Sequence, residues 1–308
     1  MSMLAKVTKG YQQAPERVVL YGVEGVGKST FAAGAPAPIF LATEDGTARL
    51  DVERIPIASW AELLGAVDEL IAAPHGYKTI VIDSIDHAEP MCWRALCARN
   101  KWADVETPGY GRGYVAAVDE WRQLVSMLAM ARAKRGMNIV LLGHAMLRNH
   151  KNPEGADFQR YESKINDKAA GFLKEWSDHV LFARHEAFAA KSDANGDKRA
   201  RGVSSGRRRI HSKWSAAYDA KTRAPLPENL ELSWEAFAAA LATSNEPTED
   251  QRAELEALLE VLPDEAAKIR SWFDDVTKCK NATHFAHGLE KLRLKVDQAA
   301  DAQQKAVA

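Results

Sequence analysis

The residues best suited to chemistry lie in one short run, "GVEGVGKST", in which Gly22, Val23, Glu24, Gly25, Val26, Gly27, Lys28, Ser29 and Thr30 follow the apolar "RVVLY". The spacing G-x-x-x-x-G-K-[ST] lets successive backbone N–H groups of a loop point at a β-phosphate, with glycines where a side chain would block the approach. Lys28 then reaches the β and γ oxygens, and the Ser29 hydroxyl serves Mg²⁺. The reading is a nucleoside triphosphate site taking ATP and Mg²⁺. A glycine-rich strand-to-helix turn is the plainer alternative.

A magnesium ion needs a carboxylate nearby, and "TIVIDS" supplies Asp83 at the end of an apolar run. Hydrolysis needs a group that orients water. "IFLATEDG" places Glu44 and Asp45 just beyond another apolar run, and in a doubly wound sheet such strand ends converge on the ligand. Glu44 is the candidate general base, with Asp45 as the near alternative and a solvated acidic turn as the other reading. His144 ends "NIVLLGH", where a polar side chain can touch a γ-phosphate and register its loss. A satisfied packing histidine is the competing role.

The elements that must position these residues are legible as period. "RVVLYG", "IFLATE", "TIVIDS", "NIVLLGH" and "HVLFARHEAF" are near-continuous apolar runs that fit buried parallel strands, with intervening stretches long enough for crossover helices. The expected fold is α/β, a mainly parallel sheet flanked by helices. Ser59 is the predicted N-cap of a helix over 59–73, and Gly136 the C-cap of a longer one over 114–136. After Arg184 the period changes to two on either side of Asn-Gly and Ser-Gly signals, predicting a long β-hairpin with a charged tip. "ELSWEAFAAAL" reads as a closing helix. The expected division is an arm over 1–15, a core over 16–241, a linker over 242–250 and a helical appendage over 251–308.

The chain has 308 residues, 41 lysines and arginines against 42 acidic residues, and three cysteines, Cys92, Cys97 and Cys279. Near-zero net charge argues against a uniformly basic coat, and no apolar run approaches the ~20 residues of a membrane helix. No apolar signal core opens the sequence and the cysteines form no framework, so free thiols in a cytoplasm are expected. One local exception is Lys191 to Lys213, with eight basic residues against Asp193 and Asp197.

The order of parts resembles the RecA-like recombinase core: "GVEGVGKST", a glutamate after the next strand, "TIVIDS", then a polar strand end in "LLGH". More closely, "VVLYGVEGVGKSTFAAGAPAPIFLATEDG" and "SAAYDAKTRAPLPENLELSWEAF" look like the phage-encoded RecA-like ATPases of the single-strand annealing and recombination group. That resemblance covers residues 5 to 241. It implies that Glu44 activates water, and that His144 couples the γ-phosphate to a DNA-binding loop, "AMLRNHKNPEGADFQRYESKINDK". In that loop Arg148, Lys151, Arg160 and Lys164 would meet phosphates. "ARNKWADVETPGYGRGY" occupies the place of a first DNA loop, where Tyr110 and Arg112 would stack or pair. Lys221 and Arg223 in "AKTR" match the basic pair reaching a neighbour's γ-phosphate, which implies a homo-oligomer, ring or filament. The basic hairpin tip departs from the bacterial recombinase pattern; Arg207, Arg208 and Arg209 there would add a salt-sensitive, sequence-independent DNA contact, with a flexible charged turn as the alternative.

The function implied is a DNA-stimulated ATPase that binds single-stranded DNA and promotes annealing or strand exchange in a bacterial host cytoplasm. A single-strand binding protein is a further expected partner, and no membrane is involved. A helicase-loader ATPase and a nucleotide or metabolite kinase are the alternatives. The kinase reading leaves "AKTR" without a role.

Overall fold

The protein is described here by a computed structural model that covers residue 7, residues 14–191, 200–244, 247, 249–274, 285 and 287–297. Most of the expected N-terminal arm, residues 192–199 of the charged hairpin tip, Cys279 and the tail beyond 297 lie outside the described residues. Residues 14–238 make one compact unit, and the described residues from 239 onward belong to a second.

The first unit is built on one sheet. Strands β1 (Arg17–Gly22), β2 (Pro38–Ala42), β3 (Glu53–Pro56), β4 (Thr79–Asp83) and β5 (Asn138–His150) alternate with α1 (Lys28–Ala33), α2 (Trp60–Ala72), and the successive helices α3 (Ile85–Asn100) and α4 (Arg112–Arg135). Then come β6 (Phe158–Ser163), α5 (Asp167–Trp176), β7 (His179–Lys191), β8 (Ala200–His211), β9 (Lys221–Thr222), β10 (Asn229–Glu231) and α6 (Trp234–Ser244). The sheet order is β10-β8-β7-β1-β5-β4-β2-β3, with β1, β5, β4, β2 and β3 parallel and β7 parallel to β1. This is the expected α/β architecture, a mainly parallel sheet flanked by helices. The five expected strands are all present, and β3, β6, β9 and β10 are additions too short or too polar to stand out as apolar runs.

Strand alternation divides the apolar residues between two helical layers. Val19, Tyr21, Leu41, Ile80, Ile82, Ile139, Leu141 and Phe182 face a core shared with α2, α3, α4 and α5. There the rings of Trp60 and Trp121 meet edge-on at 5.3 Å, a geometry that adds about 1 kcal/mol beyond burial. Val18, Leu20, Phe40, Val81, Val140 and Leu142, equally buried, point the other way. Phe31 of α1 packs there with Trp234 and Phe237 of α6.

Local signals behave as physical chemistry requires. The Ser59 hydroxyl accepts from Glu62 N at 3.2 Å while Glu62 Oε2 accepts from Ala58 N, just before the cap, at 2.8 Å, which together secure the start of the helix. Gly136 ends α4 in the left-handed region with φ 67. The stretch 145–163, expected as a surface loop, is instead an antiparallel extension in which β5 runs out of the sheet and pairs with β6. Alternating side chains on both arms around "NPEG" explain the ladder.

In the second unit, α7 (Glu249–Val261) and α8 (Pro263–Asp274) bury Leu255, Leu259 and Phe273 with Phe285, Leu289 and Leu292. Ion pairs Arg293–Glu254, Lys295–Glu265 and Arg270–Glu256 rim that small core. Among the described residues no helix is long and apolar enough to cross a membrane.

Candidate nucleotide site

The parallel pairing registers decide what meets what. Gly22 lies opposite His144 on one side and Ala183 on the other, while Ala42 lies opposite Asp83. The carboxyl ends of β1, β2 and β4 and the sheet portion of β5 therefore open on one place, where the loop over 22–28 turns into α1. Gly22 must be glycine because an added Cβ would collide with the carbonyl of Ala183. Gly27, at φ 106, holds a left-handed conformation that other residues resist.

Lys28 is buried, and its Nζ donates to the carbonyls of Gly22 at 3.2 Å and Val23 at 3.1 Å. Burial pulls its pKa down, against Asp86, Asp83 and Glu44, which favour the charged form. Ser29 Oγ donates to Asp83 Oδ2 at 2.6 Å. Burial pushes the Asp83 carboxyl up, with the Ser29 hydrogen bond opposing. These two oxygens are the hard donors Mg²⁺ takes, and with the cradle they fit a magnesium–nucleotide pair. Thr43, donating to the carbonyls of Asp83 at 2.8 Å and Ser84 at 2.7 Å, fixes the turn that delivers Glu44.

Glu44 is half-buried and its Oε2 stands 3.2 Å from Nδ1 of His87; Asp45 is exposed. His144 is fixed from α3: its backbone N and Nδ1 contact Asp86 Oδ1 at 2.9 Å and Oδ2 at 2.8 Å. The Asp86 hydrogen bond raises the His144 pKa, against burial and Lys28. Burial would raise Asp86, yet the His144 side chain and backbone together hold its carboxyl down at about 2. Glu44, His87 and His144 each bring a ligand atom within 4.8 Å of the others, a donor set able to hold a divalent cation. Asp86 and His87 went unnoticed in sequence. Their signal is position: the residues after a strand-ending aspartate open a helix at the converging strand ends.

The other expected site residues are scattered. Lys221 and Arg223 lie toward the opposite end of the sheet from their own cradle, in register with Val180 and beside Asp178. Lys221 Nζ donates to the carbonyl of Lys174 and Arg223 Nη2 to that of Glu175 at 3.0 Å, capping the end of α5. Tyr110 is 97% exposed with Arg112 over its ring at 5.6 Å. Lys151 and Lys164 are exposed.

Three arginines expected to face a nucleic acid have partners within the protein. Arg160 is buried, paired with Glu162 at 3.3 Å and Asp219 at 3.4 Å. Arg148 pairs with Asp167 and donates to the Ile165 carbonyl at 2.8 Å, tying the extension to α5. Arg208 returns to the cradle, its Nη1 donating to the carbonyl of Val26 at 3.3 Å. Arg207 stays exposed and Arg209 pairs with Glu186 at 3.5 Å. Charge in a sequence carries no record of which carboxylates the fold will bring to it.

A strand-loop-helix cradle with a buried lysine, a serine–aspartate pair and a converging glutamate defines a P-loop nucleoside triphosphate-binding domain on a mainly parallel sheet. The family model for an AAA domain matches residues 14–224, and the chain belongs to that family. Among solved structures, that of the RadB recombinase is similar at 13% identity, covering 72% of this chain and 90% of that one with a TM-score of 0.38. No curated protein matches.

Proposed function

We propose that the chain is an ATP-hydrolysing, recombinase-type ATPase of the phage single-strand annealing group that grips single-stranded DNA as an oligomer. The observation that carries the reading is the convergence of Lys28, the Ser29–Asp83 pair, Glu44 and His144 on one set of strand ends. Ser29 and Asp83 would hold Mg²⁺, which neutralises phosphate charge when bound. Glu44 orients and deprotonates the attacking water, and Lys28 and the loop amides hold the phosphates in line. His144 begins the stretch of β5 that leaves the sheet, so a γ-phosphate contact there bears directly on the β5–β6 extension. Lys151 and Lys164 on that extension, with Tyr110 and Arg112, would then meet the strand by charge and stacking. Lys221 and Arg223, placed away from their own cradle, would serve that of a neighbouring subunit.

The test is ATP turnover with and without single-stranded DNA, alongside sedimentation to measure oligomer size. Glu44→Gln is expected to lower turnover about 10²- to 10⁴-fold while ATP affinity stays unchanged. A monomer whose turnover ignores DNA would defeat the proposal.

A further inference from the structure

We infer that Arg208 is a phosphate ligand supplied in cis by the β7–β8 hairpin, so that binding a nucleoside triphosphate also sets the posture of the hairpin. The inference rests on the nucleotide reading above. It starts from topology: β8 is antiparallel to β7, and β7 is the parallel neighbour of β1, so the returning strand passes the phosphate loop. Ile210, two residues on, is fully buried, and alternation puts Arg208 on the same face of β8. The Leu232 N–H donates to the Arg208 carbonyl at 3.3 Å, which holds that part of the strand from its other edge.

The guanidinium then lies on the loop itself. Nη1 donates to Val26 O at 3.3 Å, and a Cβ added at Gly27 would strike the same guanidinium. The left-handed backbone is what demands glycine at 27; the contact shows how closely the guanidinium lies on the loop. One N–H spent on Val26 leaves four of the five donors of the fork. Among the described residues no carboxylate pairs with Arg208, whereas its neighbour Arg209 is matched with Glu186. A cation without a local counter-charge, against a loop whose amides are arranged for phosphate, is suited to bind the oxygens of a di- or triphosphate. Beside it a cavity of about 430 Å³ is lined by Gly206 to Arg209, Glu231 and Leu232, so the side chain has room to swing from Val26 onto a ligand.

The consequence is mechanical. The root of β7 already touches the loop through Val23 N and Ala183 O at 3.4 Å, and Arg208 is the second tie. Nucleotide arriving in the cradle draws on this second tie and on the strand that carries it.

Affinity for a fluorescent ATP analogue and for ADP is measured with the full chain, its Lys28→Ala, Arg208→Gln, Arg208→Lys and Arg207→Gln variants, and no DNA. Hydrogen exchange over 203–211 is followed with and without nucleotide. Arg208→Gln keeps a donor for Val26 and removes the charge, so a merely structural strut would survive it. The expected result is about 10- to 100-fold weaker ATP binding in Arg208→Gln. Arg208→Lys should lie between, Arg207→Gln within about twofold of the parent, and nucleotide-dependent protection of 203–211 should be lost with the charge. Unchanged ATP affinity in Arg208→Gln, or protection that persists in it, overturns the inference alone. A parent chain that binds no ATP, with Lys28→Ala no different, overturns the nucleotide reading instead.

Discussion

Two antiparallel extensions grow from strands that flank β1, and they differ in what their arginines hold. On the β5–β6 arm, Arg148 and Arg160 are engaged by Asp167, Glu162 and Asp219 of the same compact unit. On the β7–β8 arm, Arg208 reaches the phosphate loop and Arg207 stays exposed. The first arm is fastened to the protein by carboxylates, and of its lysines and arginines only Lys151 and Lys164 are exposed. The second is fastened to the site where the ligand goes. Similar sequence content, basic residues on alternating strands, thus yields a fixed platform in one case and a ligand-linked arm in the other.

The sharpest way to break this comparison is to truncate one arginine on each arm and measure unfolding. Arg160→Ala leaves Glu162 without its partner and Asp219 with Lys174 alone, and is expected to cost about 3 kcal/mol. In a unit of this size that lowers the midpoint by about 6–12 °C. Arg209→Ala, which loses only a half-exposed pair with Glu186, should cost less than about 1 kcal/mol. Equal losses would mean the two arms are held alike.

A smaller effect concerns what each arm offers a nucleic acid. Replacing Lys151 and Lys164 together by alanine should flatten the log–log salt dependence of single-strand affinity by about 1.4, two phosphates at about 0.7 each. Arg160→Gln should leave that slope unchanged, provided the variant is assayed below its unfolding range. A slope change on removing Arg160 would return it to the surface.

The smallest effect is electrostatic and lies at the root of the first arm. His144 has a raised pKa through Asp86, so its share of stability is complete below its ordinary value of 6.5 and is lost as pH rises through the folded value. Asp86, held at about 2, contributes fully above its ordinary value of 3.8 and loses that as pH falls through about 2. The pair is therefore strongest between about pH 4 and 6.5. Asp86→Asn should remove the decline in unfolding midpoint above that window, as thermal melts from pH 5 to 8.5 would show; a parallel decline in both proteins would defeat the assignment.

Much of the site was legible because it is local. The glycines, Lys28 and Ser29 lie within one turn of chain, and Asp83, Glu44 and His144 each end an apolar run whose direction in a parallel sheet is forced. The β5–β6 extension was missed as a ladder because its strands are largely polar, and period two over six residues competes with ordinary loop composition. Asp86 and His87 escaped notice because a helix start after a strand-ending aspartate is common and says nothing of its partners.

The amino-acid sequence by itself determined the phosphate cradle, the strands that carry its carboxylates and the mainly parallel order they imply, since backbone geometry and hydrophobic period act over a few residues. Only the tertiary structure decided which charges are satisfied within the protein and which are left for a ligand. Arg160 has Glu162 two residues on and Arg208 has only arginines beside it, yet neither neighbourhood names the partner that decides its role. Arg160 is closed in by Asp219, 59 positions later, as well as by Glu162, and Arg208 is laid on a loop 182 positions before it, because ion pairing depends on distance in space and burial on what the sheet order brings alongside.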